Sequence, residues 1–110
     1  MTLDAGTQMR KGVVEYCVLG LLSRTPMYGW ELSERLISAG MIASIGTLYP
    51  LLSRLRQSGW VRTFDQASTA GPVRRYYELT AEGRAQLNGF RALWEPFARG
   101  VADLIDQEES

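Results

Sequence analysis

The sequence predicts a mainly α-helical domain that carries a small β-hairpin and closes on one long helix. Three observations predict it. Apolar residues recur at spacings of three and four through successive segments, as helices with one buried face require. Two runs rich in aromatic and β-branched residues, 60–65 and 73–79, flank the polar, turn-forming stretch QASTAGP and read as a hairpin. A final apolar repeat, from Leu87 to Leu104, continues beyond anything so small a body can cover.

The elements follow in order. Residues 1–9 show no periodicity and are expected to fray. From Arg10 to about Ser23, Val13, Val14, Cys17, Val18, Leu21 and Leu22 make a first helix that is apolar on most sides. Arg24-Thr25-Pro26 stops it, because proline disfavours a helical conformation at the residue before it. A second helix runs from about Tyr28 to Ala39, with Leu32, Leu36 and Ile37 inward and Glu31, Glu34 and Arg35 outward. Gly40, free to take positive φ, closes it, and Met41 to Ala43 form the turn.

The third helix begins near Ser44 to Thr47, with Pro50 expected in its first turn, where a missing N–H needs no partner. Ile45, Leu48, Leu52 and Leu55 share one face; Thr47, Pro50, Ser53, Arg54 and Gln57 fall on the other, and Gly59 ends the helix. Two helices, a tight turn and a third amphipathic helix make a trihelical helix-turn-helix, and the hairpin that follows makes a wing. Thr80 caps the last helix, about Ala81 to Asp106, without the acidic partner of a full capping box. Leu87, Phe90, Trp94, Phe97, Val101 and Leu104 alternate three and four apart along it, a seam suited to pairing with the same seam of a second chain. Pro96 should kink this helix between Trp94 and Phe97. The organisation expected is therefore a flexible start at 1–9, a winged helix-turn-helix at 10–80, and a dimerisation helix with an acidic tail at 81–110.

At 110 residues the chain fits one small domain. No apolar run reaches the ~20 residues that span a bilayer, and no signal-peptide pattern opens the chain, so a cytoplasmic protein without a membrane partner is expected. Cys17, the single cysteine, reads as a buried thiol packing as a small hydrophobe. The absence of histidine removes the commonest general base and the commonest transition-metal ligand. With no phosphate-cradling glycine loop and no carboxylate pair in an apolar run, an enzyme, a metal site or a cofactor is not expected.

Net charge is zero, but it is unevenly spread. Residues 53–75 carry five arginines against one acid, a net +4, while residues 95–110 carry five acids against one arginine, a net −4. A charge run is often no more than a solvated face. On an amphipathic third helix beside a hairpin it also suits the grip of a winged helix on duplex DNA, the helix in the major groove and the hairpin on the backbone.

The motifs YGWEL (28–32), GTLYPLLSRL (46–55), SGWV (58–61) and GPVRRYYELTAEG (71–83), in this order, resemble the PadR family of bacterial transcriptional regulators. The resemblance covers about residues 12–83. It implies a winged helix-turn-helix dimer, joined through C-terminal helices, that usually represses transcription. The single short tail helix resembles the small-chain, LmrR-like subfamily. There a tryptophan on that helix lines a pore between subunits and stacks on planar aromatic ligands, which makes Trp94 the counterpart here. Two positions depart from the pattern: Arg56-Gln57 stand where acidic residues are common, and Trp60 where a smaller apolar residue is usual.

The candidate DNA contacts are Tyr28, Ser44, Thr47, Tyr49, Pro50, Ser53, Arg54, Arg74 and Arg75. Arg54 is suited to a bidentate bond with guanine. Tyr49 and Tyr28 either lie against the sugar-phosphate backbone or pack under the wing. Arg74 and Arg75 alternate along a strand, so one reaches DNA while the other pairs with an acid such as Glu78. Phe90, Trp94, Phe97 and Asp103 are the candidate ligand residues; the plainer reading of the aromatic stripe is a dimer core of Leu87, Phe90, Trp94, Phe97, Val101 and Leu104. The partners expected are operator DNA, a second copy and a small aromatic effector. The competing reading is a winged-helix protein-interaction module that does not read DNA sequence.

Overall fold

The computed structural model describes residues 5–68 and 70–106 of the chain. The order is α1 (Ala5–Leu22), β1 (Met27–Tyr28), α2 (Gly29–Ser38), α3 (Ile45–Gln57), β2 (Val61–Ser68), β3 (Gly71–Leu79) and α4 (Ala81–Ile105). The expected architecture of helix-turn-helix, hairpin and long final helix is borne out.

The core explains why these elements form. Val18, Leu19 and Leu22 of α1, Leu32 and Leu36 of α2, and Leu48, Leu51, Leu52 and Leu55 of α3 converge with Met27, Ile42, Val61 and Leu87 into one buried cluster. Gly40 and Gly59 each take positive φ, 76° and 81°, just past α2 and α3, where a side chain would be strained. The last helix is tied down at its start. The Gly83 N–H donates to Thr80 Oγ1 at 3.0 Å, and the Thr80 hydroxyl donates to the Gly59 carbonyl at 2.6 Å. Gly83 has no room for a Cβ, which would collide with the Trp60 carbonyl and Leu79.

Several boundaries and burials differ from expectation. The first helix begins at Ala5, so residues 5–9 are helical; the part of the expected flexible start at 1–4 lies outside the described residues. Met27–Tyr28 form a short strand on β3, so the wing belongs to a three-stranded antiparallel sheet of order β1-β3-β2. Strands β2 and β3 run to Ser68 and from Gly71, absorbing most of the stretch expected as loop. Pro50 sits inside α3, past its first turn, so the bond its N–H would have made to the Gly46 carbonyl is missing.

Ile37 is exposed rather than inward, and Cys17 is half-buried rather than buried. Leu51, which the seam of Leu48, Leu52 and Leu55 had left out, is buried. Leu87, expected at a dimer interface, is buried in the chain's own core, because the first turns of α4 pack on α1 and Trp60. The expected acidic tail at 107–110 lies outside the described residues.

Candidate nucleic-acid interface

The register of the wing decides which side chains face out. β2 and β3 pair Arg62 with Glu78, Phe64 with Tyr76, Asp65 with Arg75 and Gln66 with Arg74. Directly paired residues share a face and neighbours along a strand alternate. Tyr77 and Leu79 pack against the core, so Arg75 continues that inner face and Arg74 the outer one. On the outer face the Phe64 and Tyr76 rings stack 5.5 Å apart, and Tyr28 lies 5.6 Å from Tyr76. The Arg74 guanidinium stands 4.7 Å above the Tyr28 ring.

Of the two arginines expected to divide between DNA and an acid, Arg75 pairs with an acid, but that acid is Asp65, at 3.4 Å, and not Glu78. Glu78 instead pairs with Arg62 at 2.7 Å. Both pairings follow from cross-strand register, which the spacing along a single strand does not reveal. Among the described residues Arg74 enters no ion pair; its contact is the Tyr28 ring.

Because β1 is two residues long, it covers β3 only at Tyr76 and Tyr77. The edge before them opens into a groove between wing and helices, lined by Tyr28, Trp30, Tyr49, Asp65, Arg74 and Arg75 among others. Tyr49, half-exposed, reaches this groove from α3 with its ring against Gly29, where an added Cβ would lie 3.0 Å from the Tyr49 hydroxyl. So Tyr49 packs on the start of α2 and still keeps a wet edge. Tyr28 precedes α2, and its N–H donates to Glu31 Oε1 at 3.1 Å. Trp30, half-exposed with its ring 6.4 Å from Tyr28, is a groove residue that motif reading passed over. Its position within YGWEL was the available signal.

Along α3, helical spacing of about 100° per residue places Gly46, Pro50, Ser53 and Gln57 directly opposite the buried leucines. That outermost row is short and uncharged, so the helix backbone can approach a flat surface closely. Thr47 and Arg54 flank it on one side, Tyr49 and Arg56 on the other. Ser44 is the N-cap residue of α3, in extended conformation. Arg54 is held by α1: its guanidinium donates to Glu15 Oε1 at 2.9 Å. This pair is largely exposed on the arginine side, so it is worth at most about 1 kcal/mol and yields readily to a phosphate.

The structure thus brings Tyr28, Tyr49, Arg74 and Arg75 together in one groove, with the α3 row of Pro50 and Ser53 beside it. It places Arg54 apart from them, toward α1. Burial raises the Tyr77 phenol above its ordinary value, with the neighbouring Tyr49 adding to the rise.

On α4, Phe90 is half-buried, while Trp94, Phe97, Val101 and Leu104 are exposed, as are Leu93 and Ile105. Phe90 and Trp94 stack at 5.5 Å. Glu95 is engaged by Arg99 at 2.6 Å, which leaves Asp103 as the acid of this stretch without an ion pair among the described residues. No helix among the described residues is long and apolar enough to cross a membrane.

A trihelical core with an amphipathic third helix, followed by a hairpin and capped by a long helix, defines a winged helix-turn-helix protein. A model of the transcriptional regulator PadR-like family matches residues 18–89. A transcriptional regulator of Mycobacterium tuberculosis, Rv3488, is 33% identical over 94 residues, covering 86% of this chain and 87% of that protein. A PadR-like transcriptional regulator from Bacillus cereus superposes with a TM-score of 0.83 at 39% identity, over 93% of this chain and 99% of that one. Bacillus subtilis PadR in complex with operator DNA shares the fold, with a TM-score of 0.63 at 23% identity over 71% of this chain and 46% of that one. The chain belongs to the PadR-like family of transcriptional regulators. That membership, in a family of regulators and not of enzymes, agrees with the reading from chemistry.

Proposed function

We propose that this chain is a homodimeric repressor that grips operator DNA with α3 and the wing and is released by a planar aromatic effector. The observation that carries the DNA-binding part is the groove where Tyr28, Tyr49, Arg74 and Arg75 converge beside the short, uncharged outer row of α3. A close-approaching helix face suits the major groove. Hydroxyl and guanidinium groups at its flank suit the phosphates on either side. Pro50 and Ser53 lie nearest the groove floor, with Thr47 and Ser44 at the helix start, and Arg54 leaves Glu15 for DNA. Bacillus subtilis PadR, which shares the fold, is solved in complex with operator DNA, which supports DNA as the partner here. In this reading residues 10–80 are the reading head and 81–110 the dimerisation segment, and the protein works in the cytoplasm, on DNA.

Dimerisation is supported by the row of exposed large apolar side chains on α4, which water disfavours in a lone chain. The effector reading rests on Trp94 and Phe97, broad rings at that seam, with Asp103 as counter-charge for a cationic ligand. Mobility shifts with DNA from upstream of the protein's own gene, against a scrambled competitor, test the regulator reading. Specific retention that weakens with salt is expected; equal retention of both fragments points instead to an interaction module. Quenching of tryptophan fluorescence by planar cationic dyes, lost in Trp94→Ala, tests the effector.

A further inference from the structure

We infer that Lys11 of α1 and Arg54 of α3 form a second phosphate grip, on the flank of α3 turned away from the wing, where the Glu15 carboxylate holds the place of a phosphate oxygen. This rests on the DNA-binding reading above and adds a contact on α1 and a brake on affinity.

A helix lying in the major groove runs between two phosphate backbones, one along each of its flanks. Tyr28, Tyr49 and Arg74 serve the flank toward the wing. The opposite flank of α3 presents Thr47 and Arg54, so Arg54 is its one charge. The Arg54 guanidinium donates to Glu15 through Nη2, at 2.9 Å, and makes no other hydrogen bond or ion pair among the described residues. Carboxylate and phosphate oxygens accept from the same guanidinium fork, so Glu15 marks where a phosphate oxygen fits.

The geometry of α1 adds a second cation. Lys11 lies four residues before Glu15, one turn nearer the helix start and on the same stripe. Further along, that stripe enters the core: Val18, Leu19 and Leu22 are buried, Glu15 is half-buried and Lys11 is exposed. α1 therefore leaves the core past the flank of α3 and carries the Lys11 ammonium out beside Arg54. Lys11 enters no ion pair among the described residues. Glu15 is drawn to Arg54 instead, and a lysine four residues before a glutamate is the weaker order of that helical pair. Two cations around one acid leave a net +1 for a phosphate to neutralise. Glu15 opposes that approach whatever the DNA sequence, since a phosphate must displace it from Arg54.

Binding isotherms on labelled promoter DNA over a range of salt, measured with the full chain, test the grip. Lys11→Ala is expected to lower the slope of log affinity against log salt by about 0.9, one phosphate contact, and Lys11→Glu to lower it at least as far. Glu15→Gln keeps the shape of the side chain and removes its charge. It is expected to tighten binding to promoter and unrelated DNA alike, about two- to fivefold, the range of an exposed ion pair. Adding Arg54→Ala should cancel that gain. Gly12→Ala, whose new methyl meets nothing, is expected to leave the affinity unchanged. A slope that Lys11→Ala does not move, or Glu15→Gln protein that binds no tighter, overturns the grip. Glu15 and Arg54 then only tie α1 to α3, a loss read in melting temperature and not in affinity. If the unmodified protein retains no promoter DNA at low salt, the DNA-binding reading itself fails, an outcome distinct from tight binding whose salt slope ignores Lys11.

Discussion

The rings of Tyr16 and Phe90 lie 4.2 Å apart, 7° from parallel, and join α1 to the long helix. The stack extends in both directions. Phe90 continues to Trp94 at 5.5 Å, and Tyr16 to Trp60 at 6.5 Å, at the root of the wing. One aromatic ladder therefore connects the exposed seam of α4 with the start of β2.

Breaking the ladder at its tightest rung should cost stability. Phe90 is half-buried, so Phe90→Ala is expected to lose about 2 kcal/mol, below the range for a fully buried phenylalanine. Urea unfolding measures it, with Tyr16→Phe expected to be nearly silent, because the ring contact survives.

Gly83 is the most tightly enclosed of the described glycines. A Cβ there meets the Trp60 carbonyl and Leu79, so Gly83→Ala must push α4 off the head and is expected to lower stability by about 2–3 kcal/mol. Gly89→Ala is the contrasting case. Nothing lies near its added methyl, and thermal melting should show it unchanged or higher by about 0.5–1 kcal/mol, the gain of alanine over glycine in a helix.

The wing arginines should differ. Asp65 holds Arg75, whereas Arg74 stands over Tyr28 without an acid. Arg74→Ala is expected to reduce the slope of log affinity against log salt by about 0.9, one phosphate contact, and Arg75→Ala by less. Fluorescence anisotropy with labelled promoter DNA across a salt series reads both.

Alkaline pH should destabilise the fold. Burial raises the Cys17 thiol above 9.0, and burial together with Tyr49 raises the Tyr77 phenol above 10.0. Each folded-state value exceeds its unfolded one, so the folded chain keeps a proton that the unfolded chain has lost. The stability this contributes is complete below the unfolded values and disappears as pH rises through the folded ones. Melting temperature is therefore expected to fall from about pH 9 upward. Cys17→Ala should remove the lower part of that fall and leave the part due to Tyr77.

Much of this was legible in sequence because it is local. Leu32 and Leu36, or Leu48, Leu52 and Leu55, announce their helices by spacing alone, and Thr80 announces a cap. What escaped is set by distant partners. The strand Met27–Tyr28 is too short to show alternation and exists only because Tyr76 and Tyr77 lie beside it. Arg54 and Glu15, 39 residues apart, meet only once α3 has packed near α1. Leu87 fits the α4 seam by period, yet the body of the domain claims it first. Arg75 finds Asp65 through hairpin register, which neither strand encodes by itself.

Hydroxyl-radical footprinting of the protein on its own promoter tests the DNA-gripping claim most directly. Two related protected tracts, their centres whole helical turns apart, about 10–10.5 base pairs or a multiple, are predicted for two wings and two α3 helices on one face of the duplex. Cleavage left uniform at saturating protein, or the same protection on an unrelated fragment, would contradict it.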